Sequence, residues 1–405
     1  MKRKAVACAI FLLLLVLLSG CKEHPDDIKK NQKEELLLWS YYETEAQKEG
    51  LDKLVDGFNK SQEKYHIAWE YVPMLDFIKK LSLALSSDSL PDLILVDNPE
   101  MESLVKSGLL EDITDQLQSR IFVDNYYQEV WNSVEYNGRY YGVPFCCKNT
   151  VVIYNKQMFR EAKVTIPVTW DQFKKAAAQL TKDGKQPCYG FVMSAFGGEQ
   201  GAFQFMPWML AAGITGENLT DERSIQAFEL MESLLEDHCM PHDCINWSQN
   251  DITRIFVERQ AAMIENGSWA LPEIEASGID YGMFSFPAYV TQGVMAGGED
   301  LAVIQGKNVD GAIAFMDYYN QEEVMEQISE IMWNIPPKKE LAKAYGKKNK
   351  DMEVFVSQME GSISRTSIPR WKEVSSALSE GLYQMFGNGY SAKEAWQEYI
   401  DKIGK

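Results

Sequence analysis

Residues 36–97, LLLWSYYETEAQKEGLDKLVDGFNKSQEKYHIAWEYVPMLDFIKKLSLALSSDSLPDLILVD, carry the reading that decides the fold class. Leu36-Leu37-Leu38-Trp39 is a short apolar run suited to a buried strand, and Leu51, Leu54, Val55 and Phe58 follow at the i, i+3, i+4, i+7 spacing of one helix face. Ile67 to Val72 alternates as a strand does, and Phe77, Leu81, Ala84 and Leu85 mark a second helix face. Pro91 then punctuates the chain before Asp92-Leu93-Ile94-Leu95-Val96, which is apolar on both faces. The order is β-α-β-α-β, and a central strand buried on both faces implies a parallel sheet covered by helices. In such sheets ligands sit beyond the carboxyl ends of the strands, which places Tyr42, Glu43 and Asp97 at a candidate cleft.

The remainder is again mixed α and β. Val151-Val152-Ile153-Tyr154 is strand-like, and Thr169-Trp170-Asp171-Gln172 has a capping-box pattern in front of the face formed by Trp170, Phe173, Ala177 and Leu180. Further helices are expected at 224–235, 249–258, 309–319 and 370–386. Further strands are expected at 261–264, 281–285 and 301–304. Trp170 and Trp396 fall in helical periodicities and read as core.

The 405 residues are 45% apolar and 24% charged, a globular composition. Forty Lys and Arg against 59 Asp and Glu give a net charge of −19, the wrong sign for a polyphosphate-binding surface, so no nucleic acid is expected as partner. Lys2, Arg3 and Lys4 precede an apolar run from Ala5 to Leu18, the pattern of a secretory signal. As a helix that run covers about 21 Å, short of the roughly 30 Å hydrocarbon core, so a permanent span is disfavoured. Leu18-Ser19-Gly20-Cys21 resembles the bacterial lipobox, which implies removal of residues 1–20 and lipid attachment at Cys21. The mature body is then more acidic still and does not adhere electrostatically to anionic lipid, which makes a hydrophobic anchor the expected tie to the membrane. Residues 21–35 read as a flexible polar tether.

Cys146, Cys147, Cys188, Cys239 and Cys244 remain, an odd number that defines no complete disulfide framework, although a Cys239–Cys244 bridge stays open. His238, Cys239, His242 and Cys244 carry metal-ligating atoms, but their spacing matches no C-x-x-C half-site and no second cluster completes one, so neither metal nor cofactor is expected.

Several segments in order are similar to the family-1 extracellular solute-binding proteins of bacterial sugar ABC transporters. They are Pro91-Asp92 with its strand, Ser107-Gly108-Leu109-Leu110-Glu111-Asp112, Asn137-Gly138-Arg139-Tyr140-Tyr141-Gly142-Val143-Pro144, Tyr154-Asn155-Lys156 and Pro167-Val168-Thr169-Trp170. Phe256, Gln260-Ala261-Ala262-Met263 and Gly267-Ser268-Trp269 resemble the family's aromatic ligand loop, and Gly297-Gly298 before Leu301 its return strand. The resemblance implies an α/β, two-lobed periplasmic-binding-protein-like fold of type II, each lobe a mainly parallel sheet flanked by helices and joined by hinge crossovers. One lobe is expected at 36–144 plus 288–334, the other at 145–287 plus 335–405. Tyr141-Gly142-Val143-Pro144 and Ile335-Pro336-Pro337 suit the connectors.

A sugar offers apolar C–H faces and rings of hydroxyls, so its site wants aromatic plates with carboxylates, amides and Arg. Trp269, in a loop at a strand-to-helix turn, is the first candidate plate, and the resemblance supports it. Trp247 is the second, with the alternative that Ser248 caps a helix and Trp247 packs as its staple. Phe145, Glu199, Gln204, Gly298, Glu299 and Arg365 are carried over from the resemblance, Arg365 having the alternative of pairing with a carboxylate of its own lobe. The implied function is a lipid-anchored, extracytoplasmic, monomeric receptor that captures a carbohydrate and delivers it to ABC permease subunits. Sensing through a membrane kinase and a lipid-anchored glycosidase are the alternatives, and no enzyme activity is expected because no nucleophile elbow, HExxH or Walker loop is present.

Overall fold

The structure is a computed structural model that describes residues 33–404 apart from 119, 121, 122, 185 and 186; the signal segment and Cys21 lie outside the described residues. The strands that frame the site are β1 (Glu34–Ser40), β2 (Tyr65–Tyr71), β3 (Leu93–Asp97), β4 (Gly142–Pro144), β5 (Thr150–Asn155), β6 (Met263–Gly267), β7 (Tyr281–Phe284) and β8 (Glu299–Val303). The helices that matter to it are α1 (Glu45–Ser61), α2 (Phe77–Ser86), α3 (Trp170–Leu180), α4 (Glu199–Ala211), α5 (Gln249–Val257), α6 (Val309–Tyr319) and α7 (Trp371–Asn388).

The first sheet has the order β2-β1-β3-β8-β4. β1 pairs in parallel with β2 and β3, Leu36 opposite Ile67 and Leu38 opposite Leu93, whereas β8 runs antiparallel to both β3 and β4. The alternation of β3 divides its side chains as the sequence requires. Leu93 and Leu95 join α1 and α6 in one core, while Ile94 and Val96 join α2 in the core on the opposite face. β1 begins at Glu34, inside the stretch expected to be tether, because Glu34 and Glu35 point their charges outward while their backbone registers with Tyr65 and His66.

The second lobe departs from expectation. Its sheet, β6-β5-β7, is antiparallel at both named pairings, not mainly parallel. Parallel neighbours reach this sheet as the isolated bridges Tyr189 to Ala261 and Val192 to Ile264, and elsewhere in the lobe Met295–Ala296 pair in parallel with Ile363–Ser364. Residue alternation sets which side chains are buried but not strand direction, which depends on how long each connection is. A large core assembled from residues 127 to 399 covers this sheet, with Trp170, Phe173 and Trp208 near its centre and α4 buried almost all round.

Between the lobes the chain crosses in segments that lie side by side. Cys147 exchanges backbone hydrogen bonds with Ile335 (2.8 and 3.2 Å), and Lys148 with Gly297 (2.9 and 2.8 Å). Met295 and Ala296 still pack in the second core, so the return to the first sheet comes just before Glu299, later than residue 288. Among the described residues no helix is long and apolar enough to cross a membrane.

Candidate functional site

A cleft of about 350 Å³ lies beyond the carboxyl ends of β1 and β3, walled on the far side by α4, α5 and the turn after β6. Its floor begins with an unfavourable pairing. Asp97 ends β3 and Glu299 starts β8, and the two are direct partners across the antiparallel ladder. Both are buried, and like charges placed opposite each other on a sheet repel. Each is answered by its own cation, and neither cation belongs to the first sheet.

Arg365 follows the short strand Ile363–Ser364 and is 4% exposed. Its Nη1 donates to Asp97 Oδ2 (2.9 Å) and its Nη2 to Asp97 Oδ1 (2.5 Å), the bidentate fork that fits a carboxylate. Nη1 also donates to Glu199 Oε1 (2.7 Å), at the start of α4. Glu199 further accepts from Trp371 Nε1 (2.9 Å) and Ser375 Oγ (2.7 Å), and it sits where a helix N-terminus favours negative charge. The guanidinium stacks 4.6 Å from the centre of the Phe203 ring. Burial pushes the Asp97 carboxyl up to about 7 even with Arg365 against it, and the two acids hold Arg365 above its ordinary range.

Glu299 is surrounded by donors: Lys148 Nζ (2.6 Å), Tyr41 Oη (2.8 Å), Tyr42 Oη (3.0 Å) and Cys146 Sγ (2.9 Å). Burial pushes this carboxyl up, but Lys148, the Cys146 thiol and Tyr41 more than offset it, so it stays below the usual carboxylate range. The same ion pair raises Lys148 against the effect of its own burial. Lys148 also lies over two aromatic rings, Tyr42 at 4.8 Å and Trp269 at 5.6 Å.

The walls are aromatic and the rim is polar. Trp269 sits in the 3-10 turn between β6 and the helix Leu271–Ala276 and lies across Gly267, where a Cβ would stand 1.9 Å from the indole ring. Only glycine at 267 lets the plate settle there. Glu43 precedes the capping box of α1, in which Gln47 Oε1 accepts from the backbone N–H of both Glu43 and Thr44 (3.1 Å each). Its carboxylate accepts from Asn250 Nδ2 across the cleft (2.5 Å) and from Tyr71 Oη (3.2 Å). Met74, Leu75 and Asp76 complete the lip on that side, all exposed.

Of the residues expected from sequence, Glu43, Asp97, Glu199, Trp269, Gly298, Glu299 and Arg365 line this cleft. Gly298 has φ +148°, and a Cβ there would stand 2.0 Å from the Cys146 carbonyl oxygen. Tyr42 lies behind the floor, fully buried, and touches the cleft lining through Glu299, Lys148 and Tyr41 without lining it itself. Phe145 is core, stacked on Tyr319 at 4.5 Å. Gln204 is buried and ties Ser194 N–H to the Glu265 carbonyl. Trp247 packs against the second core while Ser248 caps α5, the alternative foreseen for it. Arg365 pairs within its own lobe, as its alternative had it, and across the cleft as well. Tyr41, Tyr71, Lys148, Phe196, Phe203 and Asn250 line the cleft without having been singled out. The five described cysteines are free thiols, Cys239 and Cys244 included, and His242 Nδ1 is engaged with the Phe386 carbonyl.

The chain belongs to the bacterial extracellular solute-binding protein family, whose profile matches residues 53–356. It is 24% identical to the multiple sugar-binding protein of Streptococcus mutans over 79% of each chain. It is 21% identical to the sn-glycerol-3-phosphate-binding periplasmic protein of Rhizobium meliloti, over 90% of this chain and 92% of that one. In three dimensions it matches the GacH receptor of Streptomyces glaucescens, solved unliganded and with acarbose, at a TM-score of 0.81 and 22% identity, covering 92% of this chain and 98% of that one. The fold is the two-lobed one, the role is solute binding, and these relatives are binding proteins.

Proposed function

We propose that this protein is a lipid-anchored extracytoplasmic receptor that captures a carbohydrate between its lobes and presents the closed form to an ABC permease. The observation that carries the reading is the cleft: an indole plate and hydrogen-bonding side chains contributed by both lobes, on a floor where Asp97 of the first lobe is forked by Arg365 of the second. A solute that touches both walls stabilises the closed arrangement over the open one, and that difference in affinity shifts the population without covalent chemistry. The side-by-side crossings at Cys147, Gly297 and Ile335 suit a hinge, because a few residues there can absorb the rotation. An oligosaccharide is the favoured cargo, since the exposed lip residues Met74 and Leu75 add apolar lining to the cleft beyond the Trp269 plate of the other wall. A thermal-shift screen against neutral sugars and oligosaccharides tests the reading: a ligand raises the melting temperature through mass action and compacts the protein in solution scattering. If no carbohydrate stabilises or compacts it, the reading falls.

A further inference from the structure

We infer that the cleft selects uncharged or amine-bearing solutes and turns away phosphorylated and carboxylated ones, a refinement that rests on the carbohydrate-receptor reading above. The relatives do not decide this, because their names include both a sugar and a phosphate ester.

The argument starts from the cations. An anionic solute needs a guanidinium, an ammonium or free N–H groups to replace its water. Lys148 and Arg365 are the only basic residues lining the cleft among the described residues. Both are buried, and the charge of both is already paired: Lys148 with Glu299, Arg365 with Asp97 and Glu199, with only the buried Nε of Arg365 left without a partner on that guanidinium among the described residues. A phosphate reaching either would have to share a cation whose charge a buried carboxylate already neutralises, so it would gain little net attraction for the water it gives up. Lys48, near the mouth, pairs with Glu45 and stands outside the lining.

The helix starts offer no substitute. Among the described residues, the helix starts that border the cleft each carry their own acid: Glu45 in the first turn of α1, Asp76 at the N-cap of α2, Glu199 at the start of α4, and Asp251 folded back on Ser248 in the capping box of α5. The positive ends of these helices are therefore already answered within the chain. At the rim, Glu43 accepts among the described residues from the neutral donors Asn250 and Tyr71, and Asp76 is exposed on the same lip. Five carboxylates and two cations face the cleft, so an entering anion meets net repulsion, and an entering ammonium meets Glu43, Asp76 and the ring faces of Tyr71 and Trp269.

Calorimetry on the purified protein with matched sets tests this: glucose, glucosamine, glucose 6-phosphate, glucuronamide and glucuronate, the corresponding trisaccharide forms, and glycerol 3-phosphate. In each set whose neutral member binds, the phosphorylated and carboxylated members should bind at least about tenfold more weakly, and the amine at least as tightly. Glucuronamide and glucuronate share a shape, so their difference isolates charge. The gap should narrow at high salt and in the Glu43→Gln, Asp76→Asn double variant, whose exposed sites leave the fold alone. An anionic member that binds as well as its neutral counterpart, or a gap indifferent to both salt and the double variant, overturns the charge inference while leaving the receptor reading standing. Glycerol 3-phosphate binding more tightly than every sugar does the same. Failure of every carbohydrate, whatever its charge, takes down the receptor reading and this refinement with it.

Discussion

Asp97 and Arg365 meet as a two-point fork between side chains 268 positions apart in sequence, one ending the first lobe's central strand and the other rooted beside the second lobe's core. Removing one partner of a buried pair leaves the other charge stranded. Arg365→Ala strands both Asp97 and Glu199, and the expected loss is about 3–5 kcal/mol in urea denaturation, with Arg365→Lys intermediate because it keeps the charge but not the fork. An unchanged midpoint in the alanine variant would mean that the pair contributes nothing.

Trp269 is half-buried, with its ring over Gly267 and only part of it packed against the second core. Trp269→Ala is expected to weaken binding of whichever sugar the screen finds by roughly 2 kcal/mol or more, with the melting temperature of the free protein nearly unchanged. Equal affinities by calorimetry would remove the indole from the site.

Asp300 lies one residue past Glu299 and points to the other face of the sheet. Ser133 donates to its Oδ1 (2.8 Å), and its Oδ2 has no partner among the described residues. Burial, against the pull of Asn98 and Ser133 and helped by the Asp97 and Glu299 charges, pushes the carboxyl up to about 8. An unfolded Asp titrates near about 3.9, so between these values the folded chain holds a proton that the unfolded chain has released. The contribution to stability is full below about pH 4 and is lost as pH rises through about 8, at about 1.4 kcal/mol per unit. Asp97, pushed up to about 7, acts in the same direction. Asp300→Asn should flatten the fall of the urea midpoint between pH 6 and 8. A slope identical to that of the parent protein would show that this carboxyl is not the source.

Gly298 combines a left-handed φ with a wall of backbone. Gly298→Ala forces its new methyl against the Cys146 carbonyl and should cost at least about 2 kcal/mol, because neither the angle nor the contact can relax through a side chain. Gly138, also at positive φ but with nothing within 4 Å, is the control: Gly138→Ala should cost about 1 kcal/mol, from backbone strain alone. Equal melting shifts for the two variants would refute the steric part.

Cys21→Ser tests the anchor. The substitution should move the protein from the membrane fraction to the soluble fraction of producing cells, and retention at the membrane would argue for another tether.

Much of the scaffold was legible because burial repeats. Helices expected at 309–319 and 249–258 stand at Val309–Tyr319 and Gln249–Val257, and Thr169 caps α3 through Gln172 N–H as its motif demands. Gln172 differs slightly: its side chain accepts from Val168 N–H instead of reaching back to Thr169. The site was harder to read. Tyr41 and Tyr42 follow a strand that ends at Ser40, so alternation no longer says which one faces the cleft, and the choice of Tyr42 fell on the buried neighbour. Nothing local marks Lys148, because lysine is almost always at the surface and the partner that explains its burial, Glu299, is distant in sequence. Glu43 and Asn250 touch although 207 residues separate them, and no local spacing records such a meeting.

The ring of donors around Glu299 is assembled from the chain's own side chains, so the base of the cavity keeps its shape whether or not a guest is present. Inherited change in preference can then be written at the lips, in Glu43, Asp76 or Asn250, while what lies beneath stays untouched. Such a molecule is free to change its diet without relearning how to hold its jaw together.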